Sequence, residues 1–245
     1  MTATLWRYLP GSVPAFDPAV FDERALARRA ALAGAPPPAR GDVHFFSLEG
    51  HELVLRHCRR GGLARRLAAR RHLWTGLERT RVVAEFELLR SLAAEGLPVP
   101  PPFACAVTRH GPLWSGSLVT RRLPGRSLAE RLGATAGVPA GADPQAGLEP
   151  PLWEAIGRCI ARFHRAGVRH ARLDAHHVVL DGEEVWLIGF DRARRRRPGP
   201  GAARWRRVDV RRLHRSLVGL ATEGGRDFDV AGFAALERAW RDALG

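Results

Sequence analysis

A chain of 245 residues, 45% of them hydrophobic, holds enough apolar material for one large domain or two packed lobes and is too apolar for wholesale disorder. Basic residues outnumber acidic ones 39 to 25, a net charge of +14, so its surface suits polyanions: nucleic acid, anionic lipid head groups or phosphorylated glycans. No run reaches the roughly 18 apolar residues that span a bilayer, and no basic start leads into an apolar stretch, so neither a membrane anchor nor a secretory leader is expected and a cytoplasmic location is.

In chain order, residues 1–40 form a mixed N-terminal extension with an Ala/Arg stretch of helical character from Asp22 to Ala33, closed by Pro36-Pro37-Pro38. The run from Val43 to Arg56 carries two apolar segments around Glu49-Gly50, a hairpin signal. Arg59-Arg60-Gly61-Gly62 comes next as a basic glycine turn, then an Arg-rich segment to His72. From Glu78 to Ala94 there is no Pro or Gly, and Val82, Val83, Phe86, Leu89 and Leu92 or Ala93 recur at helical spacing. Gly96 stops this helix, Pro98, Pro100, Pro101 and Pro102 punctuate the next segment, and Leu118-Val119-Thr120 reads as a strand end. The Gly/Pro/Ala-rich segment 133–151 is the best candidate for a loose insertion.

A clean helix comes after it: Leu152, Ile156, Cys159, Ile160 and Phe163 make one stripe, ended by Gly167. Two short strands, Val178 to Leu180 and Val185 to Ile188, turn through Asp181-Gly182, and helices are expected from Val208 to Leu220 and from Val230 to Leu244. The pattern is α+β: an antiparallel, sheet-rich front with one helix over 41–122, and a mostly helical back over 123–245 that includes the insertion. Cys58, Cys105 and Cys159 are far apart and in no metal spacing, and read as buried small hydrophobes. There is no lysine and no asparagine anywhere, so all 39 Lys/Arg positions are arginine.

The segment richest in chemistry is the helix 152–166 leading into Arg169-His170-Ala171-Arg172-Leu173-Asp174-Ala175-His176-His177, then the hairpin ending Leu187-Ile188-Gly189-Phe190-Asp191. A kinase catalytic loop has this layout: His-x-Asp, an Asn five residues after that Asp, and a hairpin ending in a metal-binding Asp. The chain resembles the 3-deoxy-D-manno-octulosonic acid (Kdo) kinase family, a lipopolysaccharide kinase branch of the two-lobed protein-kinase-like fold, over roughly residues 40 to 217. The resemblance rests on these motifs and on Leu55-Arg56-His57, Thr75 to Arg81, Glu85-Phe86, Gly96 to Pro100, Phe163-His164, Trp186-Leu187-Ile188 and Arg212-Leu213, all in order.

The resemblance implies transfer of the γ-phosphate of ATP, with Mg2+, to the 4-hydroxyl of Kdo on a lipid A precursor, by a peripheral enzyme on the cytoplasmic face of the bacterial inner membrane. It places Arg56 where a strand lysine binds phosphate and Glu85 where the following helix supplies that residue's partner, with an ordinary surface ion pair as the plain alternative. It also exposes departures. Arg172 stands at the catalytic Asp, His177 at the metal-binding Asn and Gly189 at the first Asp of the family's Asp-Phe-Asp. Arginine cannot accept a proton, glycine offers no ligand, and imidazole is a poor magnesium ligand. Asp174 and Asp191, each two residues beyond a lost Asp, are the candidate replacements for base and metal ligand.

Three readings stay open: an active sugar kinase with a degraded site, a pseudokinase that binds nucleotide or anionic glycolipid, and a basic nucleic-acid-binding protein. The last has only the charge behind it, since no helix-turn-helix, zinc finger or aromatic RNA-binding motif is present. Arg194 to Arg197 reads either as a grip for lipid A phosphates and the anionic membrane face or as a solvated charge run. His170 and His176 read as loop-packing residues in preference to metal ligands, and Trp205 as a core or rim packing residue in preference to a ring that stacks on a sugar or base.

Overall fold

A computed structural model describes residues 2–9, 17–22, 24–26, 43–58, 72–133, 148–197, 199 and 201–245. Most of the helical stretch expected at 22–33, the triple proline, the basic glycine turn with its Arg-rich continuation, and the heart of the insertion at 133–151 lie outside these residues. The chain divides into two compact units, Met1–Ser91 with Pro100–Arg122, and Leu92–Val99 with Leu123–Gly245.

The first unit is an antiparallel sheet with one long helix. Strands β1 (Thr2–Tyr8), β2 (Val43–Leu48), β3 (His51–His57), β5 (Pro102–His110) and β6 (Leu113–Arg121) lie in the order β1-β5-β6-β3-β2, and β4 (His72–Leu73) adds to β6. The β2–β3 hairpin turns where the dipeptide signal sits: Glu49 (φ 48°) and Gly50 (φ 77°) are both left-handed, the backbone a two-residue type I′ turn demands. Strand β1 has no counterpart in the sequence reading; it forms by pairing Thr2 through Tyr8 with His110 through Ala104. Arg7 then ties it to the helical side through Glu87 at 2.8 Å and through Glu78.

Helix α1 (Arg81–Ala94) follows the expected stripe, with Val82, Val83, Phe86, Leu89 and Leu92 all buried. Its first turn presses on β6, where a Cβ at Gly116 would be squeezed between the Ala106 carbonyl and Val82. Under the sheet, Leu53, Leu55, Phe103, Ala104 and Val119 form a core with Val20, Leu26 and Phe46.

The second unit is mostly helical. Residues Arg126–Ser127 (β7) lead into α2 (Leu128–Arg131), closed by a capping box between Ser127 and Glu130. Helix α3 (Pro150–Arg165) buries Ile156, Cys159, Ile160 and Phe163 as expected, but Trp153 rather than Leu152 takes the first core position. The Trp153 indole N–H donates to Asp229 at 2.9 Å, which lets so large a polar ring be fully buried.

The rest runs β8 (Val168–Arg169), β9 (Val178–Asp181), β10 (Glu184–Leu187), β11 (Arg194–Arg195), α4 (Ala202–Glu223) and α5 (Val230–Asp242). Helices α3 and α5 approach so closely at Gly157 that any Cβ there would overlap the Leu236 carbonyl. The architecture is the α+β arrangement expected, an antiparallel sheet with one long helix followed by a mainly helical unit. All three cysteines are buried free thiols.

Candidate active site

The loop from Arg169 to His177 is held from beneath by one buried side chain. Asp209, on α4 and fully buried, accepts the backbone N–H of His170 at 2.8 Å and of Ala171 at 3.1 Å. Ala171 sits at φ 64°, a left-handed backbone that alanine adopts only when surroundings dictate it, and these two bonds supply that constraint. Across from Asp209, the buried His164 ring faces its Oδ2 at 3.7 Å and takes a hydrogen bond from the Trp240 indole at 2.9 Å. Burial lowers the His164 pKa against the opposing pull of Asp209. Its imidazole is therefore neutral, with Nε2–H toward the carboxylate.

Sequence reading missed Asp209. It was nonetheless visible there: Asp209, Leu213 and Leu217 share one helical stripe, and an acid on a stripe that turns out to be core must have donors waiting for it.

His170 is the loop's inner anchor. Its Nε2–H donates to the Ile188 carbonyl at 2.9 Å and its Nδ1 accepts from the Arg172 backbone at 3.3 Å, while its ring packs on Phe190. Burial, helped by the His177 ring, pushes its pKa down to about 4. This is a packing histidine, as expected. His176 points outward and is exposed. Trp205 is partly buried with its edge on His164, a packing position as well.

The loop and the end of the hairpin then bring five residues together. Arg172, half-exposed, reaches Asp191 with one guanidinium nitrogen, at 3.3 and 3.5 Å from its two oxygens. Asp174 caps the short turn Ala175–His177, accepting from the His176 backbone at 2.9 Å and from His177 Nδ1–H at 2.7 Å. Partial burial works against its charge, but the His177 hydrogen bond and field, with the His176 contacts, win and hold its pKa below the ordinary value. Gly189 is left-handed at φ 79°, and the space a side chain would take there is filled: an added Cβ would overlap His177 Cδ2 and Nε2. Residues 177 and 189 are thus one steric unit, with the imidazole ring lodged over the glycine.

In the first unit, Arg56 on β3 and Glu85 on α1 meet at 2.5 Å, with the glutamate side chain buried at 2% exposure and the arginine at 31%. A carboxylate this buried needs its cation, so the contact is more than a solvated surface pair. In the run 194–197 all four arginines are exposed, but Arg195 pairs with Glu95 and donates to the Ala166 carbonyl, and the Arg196 N–H closes onto Gly167. Part of the run therefore has a structural task. Among the described residues, no group of three or more His, Cys, Asp or Glu is placed to hold a metal ion.

Comparison with known proteins places relatives beside this geometry. The profile of the lipopolysaccharide kinase (Kdo/WaaP) family matches residues 35–239. A 3-deoxy-D-manno-octulosonic acid kinase of Xanthomonas axonopodis pv. citri (strain 306) is 40% identical over 231 residues, covering 94% of this chain and 86% of its own length. One of Stenotrophomonas maltophilia (strain K279a) is 41% identical over 204 residues, covering 82% and 76%. A solved structure of WaaP in complex with acyl carrier protein aligns with a TM-score of 0.47 at 20% identity, over 88% of this chain and 92% of that one.

Proposed function

The chain belongs to the lipopolysaccharide kinase (Kdo/WaaP) family, and from that premise we propose that it binds ATP and a Kdo-bearing lipid A precursor but transfers phosphate to the Kdo 4-hydroxyl only slowly. One observation carries the slow half of this reading. The side chain at the position where the resemblance puts the general base is Arg172, and its guanidinium leans on Asp191, one of the two candidate replacements. A permanently charged donor takes no proton from the acceptor hydroxyl.

Asp174, the other candidate, is a weak substitute. Its carboxylate already accepts from His176 and His177, and its lowered pKa makes it a poorer base than an ordinary aspartate. Binding is supported by the Arg56–Glu85 pair, which keeps a positive charge in the place where the family resemblance puts its phosphate-binding lysine. The net charge of +14 supports docking against an anionic glycolipid and the acidic face of a membrane, with the exposed Arg194 to Arg197 among the contacts.

Mg2+, which the resemblance implies, does not fit the residues present. Gly189 brings no ligand and its side-chain space holds an imidazole, while Asp191 and Asp174 each already face a donor of this chain.

The test is labelled-phosphate transfer from ATP to Kdo–lipid A, run beside the Xanthomonas relative, together with a thermal-shift measurement for the glycolipid. The expected result is a rise in Tm with the glycolipid and a transfer rate about 10²- to 10⁴-fold below the relative's, the usual worth of a positioned base. Transfer at the relative's rate, abolished in Asp174→Ala, would instead make Asp174 the working base and overturn the slow reading.

A further inference from the structure

We infer that this site binds the phosphates of a nucleoside triphosphate without a divalent metal, with the Arg172 guanidinium standing where a metal ion would stand against Asp191. The inference rests on the nucleotide-binding reading above and goes beyond it.

Two observations lie behind it, the Arg172–Asp191 contact and the filled space at Gly189, both within the second unit. The Arg172 side chain is 46% exposed and uses Nη1 alone on Asp191, which leaves the Nη2 and Nε donors for another oxyanion. A guanidinium between a carboxylate and a phosphate makes the same charge sandwich as a metal ion, with donors whose planar fork matches phosphate oxygens. Next, a divalent cation brought to Asp191 would have to share that carboxylate with a permanent positive charge, so Arg172 opposes metal binding by repulsion as well as by occupancy. Last, the position that would bring a second carboxylate is Gly189, whose side-chain space is filled by a His177 ring pinned to Asp174 at 2.7 Å. Ligand loss, blocked space and an inserted cation all act in the same direction.

The chemistry also sets a limit. One arginine carries a single charge where a metal ion carries two, so the arrangement suits holding a triphosphate more than stabilising the charge that builds up as its terminal phosphate leaves. Binding that outlives catalysis is what such a site should show.

The experiment is equilibrium binding of ATP to the full chain, in EDTA and in excess magnesium chloride, for wild type and for Arg172→Ala. Wild type should bind with a Kd that differs by less than about threefold between the two conditions. Arg172→Ala should weaken binding about tenfold in EDTA, the scale of one lost charge-assisted hydrogen bond, and magnesium should recover part of that loss because Asp191 is now unopposed. The side chain's exposure makes this variant safe to fold, and its melting curve without ligand checks that.

Binding by wild type that vanishes in EDTA would overturn metal independence while leaving the nucleotide reading intact. Binding indifferent to Arg172→Ala in both conditions would remove Arg172 from the role. Absence of ATP binding in both conditions would overturn this inference and the nucleotide reading together.

Discussion

His177 and Gly189 show how two residues can be a single structural decision. The imidazole occupies the volume that a side chain at 189 would need, and the left-handed backbone of Gly189 adds its own preference for glycine. Replacing Gly189 by Asp alone should therefore cost about 2–4 kcal/mol from strain and overpacking. The double variant His177→Asn with Gly189→Asp should recover a large part of that stability, which urea midpoints on the three proteins would measure. Equal stability of the single and double variants would mean that the ring yields freely. A second residue-scale prediction concerns pH. His170 is held near 4 against an ordinary 6.5, so below 6.5 the unfolded chain takes up a proton that the folded chain refuses. Stability should be full above about pH 6.5 and fall on the order of 3 kcal/mol as pH drops toward 4, with His164 adding in the same direction. Asp174, lowered instead below 3.8, adds its loss only in stronger acid. A denaturation series from pH 7.5 to 4.5 should show this slope, flattened in His170→Gln. Of these residues, sequence reading found Arg172, Asp174, His177 and Asp191 because a motif fixes their spacing. It missed Asp209, which acts on backbone amides 38 and 39 positions away, so that only its place on the Leu213 and Leu217 stripe hinted at a buried acid.

Elements were legible in proportion to how locally they are determined. The β2–β3 hairpin came from two turn residues, and α1 and α3 came from their stripes. Strand β1 did not, because what makes it a strand is an edge of β5 about a hundred residues away. Nor did most of β5, since its opening prolines read as punctuation. Pro102 sits at the strand's first position, where a missing N–H costs little, and Phe103 to Val107 are then buried without alternation, as in a central strand. The α3–α5 contact makes an element-scale prediction. Alanine is the better helix former by about 1 kcal/mol, yet Gly157→Ala should destabilise by about 1–3 kcal/mol because its methyl meets the Leu236 carbonyl. A raised melting temperature in that variant would mean that the two helices slide apart at no cost.

At the scale of the whole molecule, composition spoke most clearly. A surface carrying +14, every non-histidine base an arginine, should drive association with anionic membranes that is steep in salt. Vesicles containing phosphatidylglycerol should retain the protein at about 50 mM salt and release most of it by about 300 mM, where the Debye length has shrunk to roughly 6 Å. Neutral phosphatidylcholine vesicles should not retain it at either. Retention that ignores salt would point to apolar insertion and away from a charge-led surface. The α+β class was equally readable, because the order of hairpin, helix, linker, helix and second hairpin admits few other arrangements.

The buried cysteines carry a practical consequence. Cys58 and Cys105 belong to the first unit and Cys159 to the second, where its thiol donates to the Val185 carbonyl at 3.4 Å. Burial pushes the thiols of Cys105 and Cys159 up to about 12, so in the closed protein they are neither accessible nor nucleophilic. Each becomes reactive only when its surroundings open. The chain thus contains its own clocks: alkylation followed site by site in a mass spectrometer would time the breathing of the sheet and of the helical unit separately, with no label added and no residue changed.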